Sequence, residues 1–345
     1  MNQQIGTRSL CYSETPFILS SASVVGTKEG EGPLGSCFDV IGEDDKFGAD
    51  NWEAAESNLQ KDALTLALGK GNCKESDIRY LFAGDLLGQT IASSFGLKNF
   101  EIPMFGVYGA CSTCGETLAL ASMTIAAGYA DQAAIVTSSH FASAEKQFRF
   151  PLEYANQRPL SATWTVTGGG AFILVSKSKK ESDKLQTLAR ITGITTGKIV
   201  DYGIKDSMNM GAAMAPAAAD LIAANLEDFG RKPSDYDKII TGDLGTIGQE
   251  ILIQLLKEKG YDISKVHEDC GMKIYDGDTQ GTGAGGSGCG CSAVTLSAHY
   301  LPLLQKGELK RILFVPTGAL LSPVSFNEGQ SVPGIAHGIV IESEK

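Results

Sequence analysis

No uninterrupted apolar run approaches the roughly 18 residues of a membrane span, so a helical transmembrane segment is not expected. Basic residues are in deficit, with Lys plus Arg at 29 against Asp plus Glu at 40 and a formal charge of -11. Phosphate binding needs concentrated Lys and Arg, so nucleic acid is disfavoured as a partner. The opening residues, Met1-Asn-Gln-Gln-Ile-Gly6, lack a basic stretch followed by an apolar one, and no signal peptide is expected. Without such a signal, the eight cysteines are expected to be reduced thiols rather than a disulfide framework. No amphipathic basic helix marks a membrane-lying segment, so attachment to a membrane would run through protein partners. The absences together predict a soluble, intracellular globular protein.

What is present is a chain of 345 residues, 43% hydrophobic, with 41 glycines. That suffices for a large core in one big domain or two ordinary ones, with many tight turns. A strand is expected over 17–22, then a loop over 26–48 packed over something else. Apolar residues near 3.6 spacing predict a helix over 51–68. Strands follow at 78–83 and 100–107, with a short helix at 91–97 between them. An Ala-rich helix is expected from Leu118 onward, ending by Gly128, and then an apolar strand over 133–137. The polar stretch 141–161 carries Lys146, Arg149, Glu153 and Arg158 and reads as a long irregular connection, of the kind that serves function or forms a lid. A strand over 168–175 and a charged turn or linker over 177–184 close the half.

The second half repeats the first. An ungapped shift of 158 positions places Asn51 on Asn209, Asp62 on Asp220, Lys74 on Lys232 and Ser76-Asp77 on Ser234-Asp235. The same shift ends with Gly84-Asp85-Leu86 on Gly242-Asp243-Leu244. Beyond it the order persists: Cys291-Ser292 answers Cys111-Ser112, Gly307 answers Gly128, and 338–341 answers 170–173. The reading is an α/β protein of two pseudo-symmetric β/α halves, 1–185 and 186–345, each with a mostly parallel sheet, packed as one compact unit.

Three motifs carry chemistry. In Gly109-Ala-Cys-Ser112, Cys111 opens a helix, where the dipole and free N–H groups favour a thiolate or hold an anion. Cys111 is therefore a nucleophile, the floor of an anion pocket, or a small buried hydrophobe at a tight helix start. Cys111-Ser-Thr-Cys114 with Cys289-Gly-Cys291 offers four thiols, but this mixed spacing suits a zinc ribbon poorly and no metal is assigned. The glycine run 281–290 lacks the Gly-Lys-Ser/Thr ending of a phosphate-binding loop. Its expected role is close backbone approach at the second central helix, still with N–H groups to offer an anion.

Two such halves, a cysteine opening the first central helix and a glycine-rich turn at the matching place in the second, resemble the thiolase-like superfamily. Thiolases, ketoacyl synthases and 3-hydroxy-3-methylglutaryl-CoA synthases belong to it. The resemblance implies a layered αβαβα arrangement and a homodimer paired through the first-half sheet. Closer strings include Glu31-Gly-Pro-Leu-Gly-Ser, Ala83-Gly-Asp-Leu-Leu, Ser138-Ser-His, Gln147-Phe-Arg and Thr165-Val-Thr-Gly. Met214-Ala-Pro-Ala-Ala-Ala-Asp, Gly285-Gly-Ser-Gly-Cys, Thr317-Gly-Ala-Leu-Leu-Ser-Pro and Ala336-His-Gly continue the series. In that order they resemble the stage V sporulation AD family of spore-forming Firmicutes. What this implies is a peripheral protein of the spore inner-membrane channel complex that binds dipicolinic acid, partners the other stage V sporulation channel proteins and supports transport into the developing spore.

The alternative is an acyltransferase or condensing enzyme, like ketoacyl synthase III, with Cys111 as nucleophile. Two departures from the family pattern oppose it. Gly242-Asp243-Leu244 stands where many condensing enzymes carry a His, and Ser287-Gly288 where they carry an Asn. An ionised Asp243 near the thiol raises its pKa, the opposite of activation. No cofactor is expected. For a dicarboxylate held at the strand ends, the candidate contacts are Cys111, Ser112, Ser139, His140, Ser287, Gly288 and His337, with Lys146, Arg149 and Arg158 as cations. Asp85, Glu116 and Asp243 repel a dianion unless they are protonated, cap helices, or hold a calcium ion that travels with the ligand.

Overall fold

The computed structural model describes residues 3–149, 151–155 and 157–345. The reading of the first two residues, and of Phe150 and Asn156 within the 141–161 connection, lies outside the described residues.

The first half runs β1 (Phe17–Val25), α1 (Trp52–Lys70), β2 (Tyr80–Gly84), α2 (Ile91–Leu97), β3 (Met104–Gly106), α3 (Thr113–Ala126), β4 (Gln132–Ser139), α4 (Phe141–Phe148) and β5 (Gly168–Val175). The second runs β6 (Ala189–Thr195), α5 (Met210–Asp228), β7 (Lys238–Thr241), α6 (Gly245–Glu258), β8 (His267–Asp269), α7 (Cys289–Thr295), β9 (Arg311–Val315) and β10 (Gly338–Glu342). Strand order is β3-β2-β4-β5-β1 in one half and β8-β7-β9-β10-β6 in the other. Two residue pairs, Ala189 with Ile18 and Arg190 with Phe17, join the two five-stranded sheets at β6 and β1.

The repeat seen in the sequence is built from matching local chemistry. Asn51 caps α1 by accepting from the Ala54 N–H, and Asn209 caps α5 by accepting from the Ala212 N–H. Asp77 and Asp235 each accept from the backbone of the lysine three residues earlier, both at 2.8 Å. Gly128 and Gly307 both follow helix ends at positive φ, +77° and +79°.

Alternation along the central strands explains the layering. Ala133 and Ile135 of β4 enter the core between the sheets, whereas Ala134 and Val136 enter the core beneath α1. The helices α3 and α7 lie in that inner core, α1 covers the outer face of the first sheet, and α5 with α6 covers that of the second. This is the expected αβαβα arrangement.

Three local expectations need correction, and the sheet reading needs one addition. Each sheet is mostly parallel, with four strands running one way and only β5 or β10 reversed against both of its neighbours. Their apolar runs are buried on both faces, and periodicity gives such strands no direction. The 141–161 connection contains α4 and a turn at Leu152–Tyr154. Residues 177–184, read as a turn, hold the helix Lys177–Asp183 capped by Ser176. The strand expected over 100–107 is confined to β3. The 26–48 segment does pack over the fold, sealing Glu29 against Tyr275 and the Thr167 backbone. Among the described residues no helix is long and apolar enough to cross a membrane.

Candidate functional site

Cys111 sits where β3 turns into α3. Ala110 just before it is held at φ +50°, a left-handed conformation costing about 1 kcal/mol for a residue with a Cβ. The turn is closed by its own backbone: Ser112 N–H donates to the Gly109 carbonyl at 3.0 Å and Thr113 N–H to the Ala110 carbonyl at 3.1 Å. Ser112 Oγ also donates to the Gly109 carbonyl, at 2.6 Å. The expectation that Ser112 offers donors to an anion is therefore corrected. Its side chain and N–H are both used internally.

Across from this turn stands the glycine-rich turn of the second half. Ser287 Oγ lies 3.8 Å from the Cys111 sulfur and donates to Asp243 Oδ2 at 3.0 Å. The Gly288 N–H donates to the same Oδ2 at 3.0 Å, while Oδ1 is buried without a partner among the described residues. Burial pushes the Asp243 carboxyl up to about 7, opposed by these hydrogen bonds. Burial, and then the Asp243 charge, holds the Cys111 thiol well above its ordinary range. The Cys289 thiol packs in the same small apolar cluster as Cys111 and donates to the Ser138 carbonyl at 2.9 Å. Its place beside Cys111 is not legible in the sequence, where the two cysteines open separate helices.

Cys111 and Ser287 line a narrow slot of about 30 Å³, room for about two waters. Leu86, Tyr108, Phe148 and Leu321 give it apolar walls, and Arg149 supplies its cation. Arg149 and Arg158 share one buried carboxylate, Glu145, which Arg149 grips through Nε at 2.7 Å and Nη2 at 2.5 Å. Two guanidinium groups on one carboxylate leave a net positive charge at the slot wall.

Other expected contacts lie elsewhere. Ser139 Oγ donates to the Val166 carbonyl and accepts from the Gly290 N–H. His140 caps α4 through Nδ1 and donates from Nε2 to the Asp45 carbonyl at 2.6 Å. Burial lowers its pKa, and it faces a separate cavity. Asp85 braces the loop after β2, accepting from Leu87 and Ser93. Glu116 faces a surface groove beside Phe105 and Tyr108. Lys146 pairs with exposed Glu53 at 3.2 Å. His337 is buried with Nε2 unpartnered among the described residues and its pKa lowered to about 4 by burial, and it does not line the slot. So Cys111, Arg149 and Ser287 meet on one slot with Asp243 and Gly288 behind them, and the rest do not. Among the described residues no three His, Cys, Asp or Glu side chains are grouped to hold a metal.

The Asp243 carboxyl sets a pH dependence. Its folded value of about 7 lies above the ordinary carboxylate range, so the stability it contributes is complete below about pH 4 and is lost as pH rises through 7. Asp243→Asn mimics the protonated form at every pH. Its stability relative to wild type, from urea unfolding, is expected to be about 2–3 kcal/mol more favourable at pH 8 than at pH 5. A pH-independent difference contradicts the assignment.

Comparison with known proteins shows the family and the fold. A family model described as Stage V sporulation protein AD matches residues 6–342. The Stage V sporulation protein AD of Bacillus subtilis (strain 168) is 44% identical over 337 residues, 98% of this chain and 97% of that protein. Human mitochondrial 3-ketoacyl-CoA thiolase in complex with CoA superposes with a TM-score of 0.61 at 14% identity, over 97% of this chain and 99% of that one. The oxazolomycin ketosynthase domain of Streptomyces albus JA3453 gives 0.64 at 13% identity, over 96% of this chain and 74% of that one. At such identity the two structures show a shared fold, the thiolase-like one.

Proposed function

The chain belongs to the stage V sporulation protein AD family, and on that premise we propose that this sporulation protein binds dipicolinic acid beside Cys111 without condensing chemistry. It supports movement of that ligand into the developing spore, docked on the spore inner membrane through the other stage V channel proteins. What supports the reading is Arg149 on the wall of a thin apolar slot beside Cys111. A flat pyridine with two carboxylates is suited by a cation and closely spaced apolar walls. The slot is narrower than the ligand, so binding moves Phe148 and Arg149 outward with the end of α4. A ligand that binds only the folded chain stabilises it, by about 2.7 kcal/mol at a hundred times its Kd. Dipicolinate should raise the melting temperature accordingly, and an unchanged melting temperature at millimolar ligand counts against the reading.

The placement of Asp243 supports the absence of condensing chemistry. It takes the Gly288 N–H, a backbone donor that an oxyanion at this turn would need. It also suppresses the thiolate that must attack. Alkylation of Cys111 by iodoacetamide at pH 8, followed by peptide mass, is expected to be at least ten times slower than for free cysteine, since each pKa unit is worth about tenfold. Exposed Cys11 and Cys37 serve as internal references. Incubation with acetyl-CoA or malonyl-CoA should leave Cys111 unlabelled. Acylated Cys111 with turnover favours the enzyme reading.

The partner surface for a second copy is the outer edge of β3. Met104, Phe105 and Tyr108 are 39%, 54% and 44% exposed there, with Leu120, Met123 and Tyr129 of α3 and its end beside them. An unpaired apolar strand edge is a template for antiparallel pairing with its own copy about a twofold axis. Phe105→Glu is expected to convert a dimer to a monomer in analytical ultracentrifugation. A monomeric wild type contradicts this part.

A further inference from the structure

Both tryptophans of the chain, Trp52 and Trp164, line one cavity of about 300 Å³, on the other side of α4 from the Cys111 slot. That is the lower end of the size range of small-molecule sites and ten times the volume of the slot. The cavity and the slot share their partition. Phe141 and Ala142 of α4 face the cavity, while Ala144, Phe148 and Arg149 face the slot. In the same way Trp164 and Thr167 line the cavity and Thr165, between them, lines the slot.

The walls are flat and aromatic. Phe141 and Trp164 stack at 4.0 Å and 10°, and Trp52 lies 5.6 Å from the His140 ring. Both His140 nitrogens are engaged, so that ring is a neutral wall. Neither indole N–H has a hydrogen-bond partner among the described residues. Lys46 lies over the Trp52 ring at 5.3 Å and Lys28 over the Trp164 ring at 4.7 Å. The Arg158 guanidinium lies 5.1 Å from the Trp164 ring. Two carboxylates line the cavity, Asp45 and Glu153, matched in number by the two lysines. Asp45 Oδ1 already accepts from the Thr27 N–H and hydroxyl, at 3.0 and 3.1 Å. The Arg158 guanidinium beside Trp164 is paired with Glu145, whose second partner, Arg149, belongs to the slot. Aromatic faces, free N–H donors and the Arg158 guanidinium beside them suit a planar ring bearing carboxylate.

We propose that this cavity is an outer binding site for flat aromatic carboxylates, in series with the Cys111 slot across α4. It rests on the reading of the chain as a dipicolinate binder and adds a second station to it. A ligand held between the tryptophans is separated from Arg149 by one short helix and the Trp164–Thr167 segment.

The experiment uses the full chain and two readouts. Equilibrium dialysis counts all bound dipicolinate, and tryptophan fluorescence, excited at the red edge of the indole band, reports the outer site alone. Wild type is expected to bind two dipicolinates per chain, one of them with saturable quenching. Arg149→Ala should lose the non-quenching site and keep the quenching midpoint within twofold. Trp52→Ala and Thr167→Val should each weaken the quenching site at least tenfold or leave one bound ligand, with pyridine-2-carboxylate behaving alike at this site. Dipicolinate bound by dialysis with silent tryptophans overturns the outer site and leaves the functional reading standing. A quenching midpoint that moves in step with Arg149→Ala also overturns it. No dipicolinate retained at all overturns the functional reading, and the outer site with it.

Discussion

Gly290→Val is expected to destabilise the chain by more than about 3 kcal/mol and to lower its melting temperature on the order of 5–10 °C. Gly290 lies in the first turn of α7, which rests on β5 and β4. A Cβ there would stand 2.2 Å from the Gly168 carbonyl oxygen, 2.7 Å from Ser139 Oγ and 2.9 Å from the Ser139 nitrogen. Two of those three atoms are backbone of central strands and have nowhere to go. The closeness has a purpose, since the Gly290 N–H donates to Ser139 Oγ and locks the glycine-rich turn opposite Cys111. Valine must push the inner helix layer off the first sheet, opening voids that neighbouring side chains cannot fill. Gly69 provides the control. It lies in α1 with nothing within 4 Å of its Cβ position, so Gly69→Ala should be neutral or stabilising by about 0.5–1 kcal/mol. Thermal unfolding followed by circular dichroism distinguishes the pair. Similar melting temperatures for both variants contradict the packing argument.

Arg149→Ala is expected to weaken dipicolinate binding about 10- to 100-fold, the worth of a charge-assisted hydrogen bond to a carboxylate, about 1.5–3 kcal/mol. The fold should survive the change, because buried Glu145 keeps its second partner, Arg158. Removing Arg149 therefore does not strand a buried charge, and the loss reports on the slot rather than on unfolding. Lys146→Ala is the matched comparison: its ammonium pairs with exposed Glu53 and lines neither cavity. Calorimetric titration of both variants should give a weakened Kd for the first and an unchanged one for the second. Equal affinities place the ligand away from Arg149.

The two-half organisation was legible because turn and cap chemistry is local. Asn51 and Asn209, or Asp77 and Asp235, do the same job with the same atoms in each half, and identity at such positions survives where packing residues drift. Cys111 opposite Asp243 and Ser287 was legible for the same reason, each sitting at a fixed place in its half. Strand direction in β5 and β10 was not, since a run buried on both faces carries no orientation. α4 was hidden as well. Its sequence reads as polar because Glu145, a fully buried carboxylate, looks like a surface residue until Arg149 and Arg158 close on it. His140 and Ser139 looked like site groups at a strand end, yet the first caps α4 and the second braces α7. Polar side chains at strand ends satisfy backbone as well as ligands, and only their hydrogen-bond partners separate the two uses.

The most direct measurement is equilibrium dialysis of the purified chain against pyridine-2,6-dicarboxylate and, separately, pyridine-2-carboxylate. Saturable retention of the dicarboxylate, with much weaker retention of the monocarboxylate by the slot that Arg149→Ala abolishes, is the predicted result. Equal retention of both acids at that slot, or no retention of either, contradicts the account.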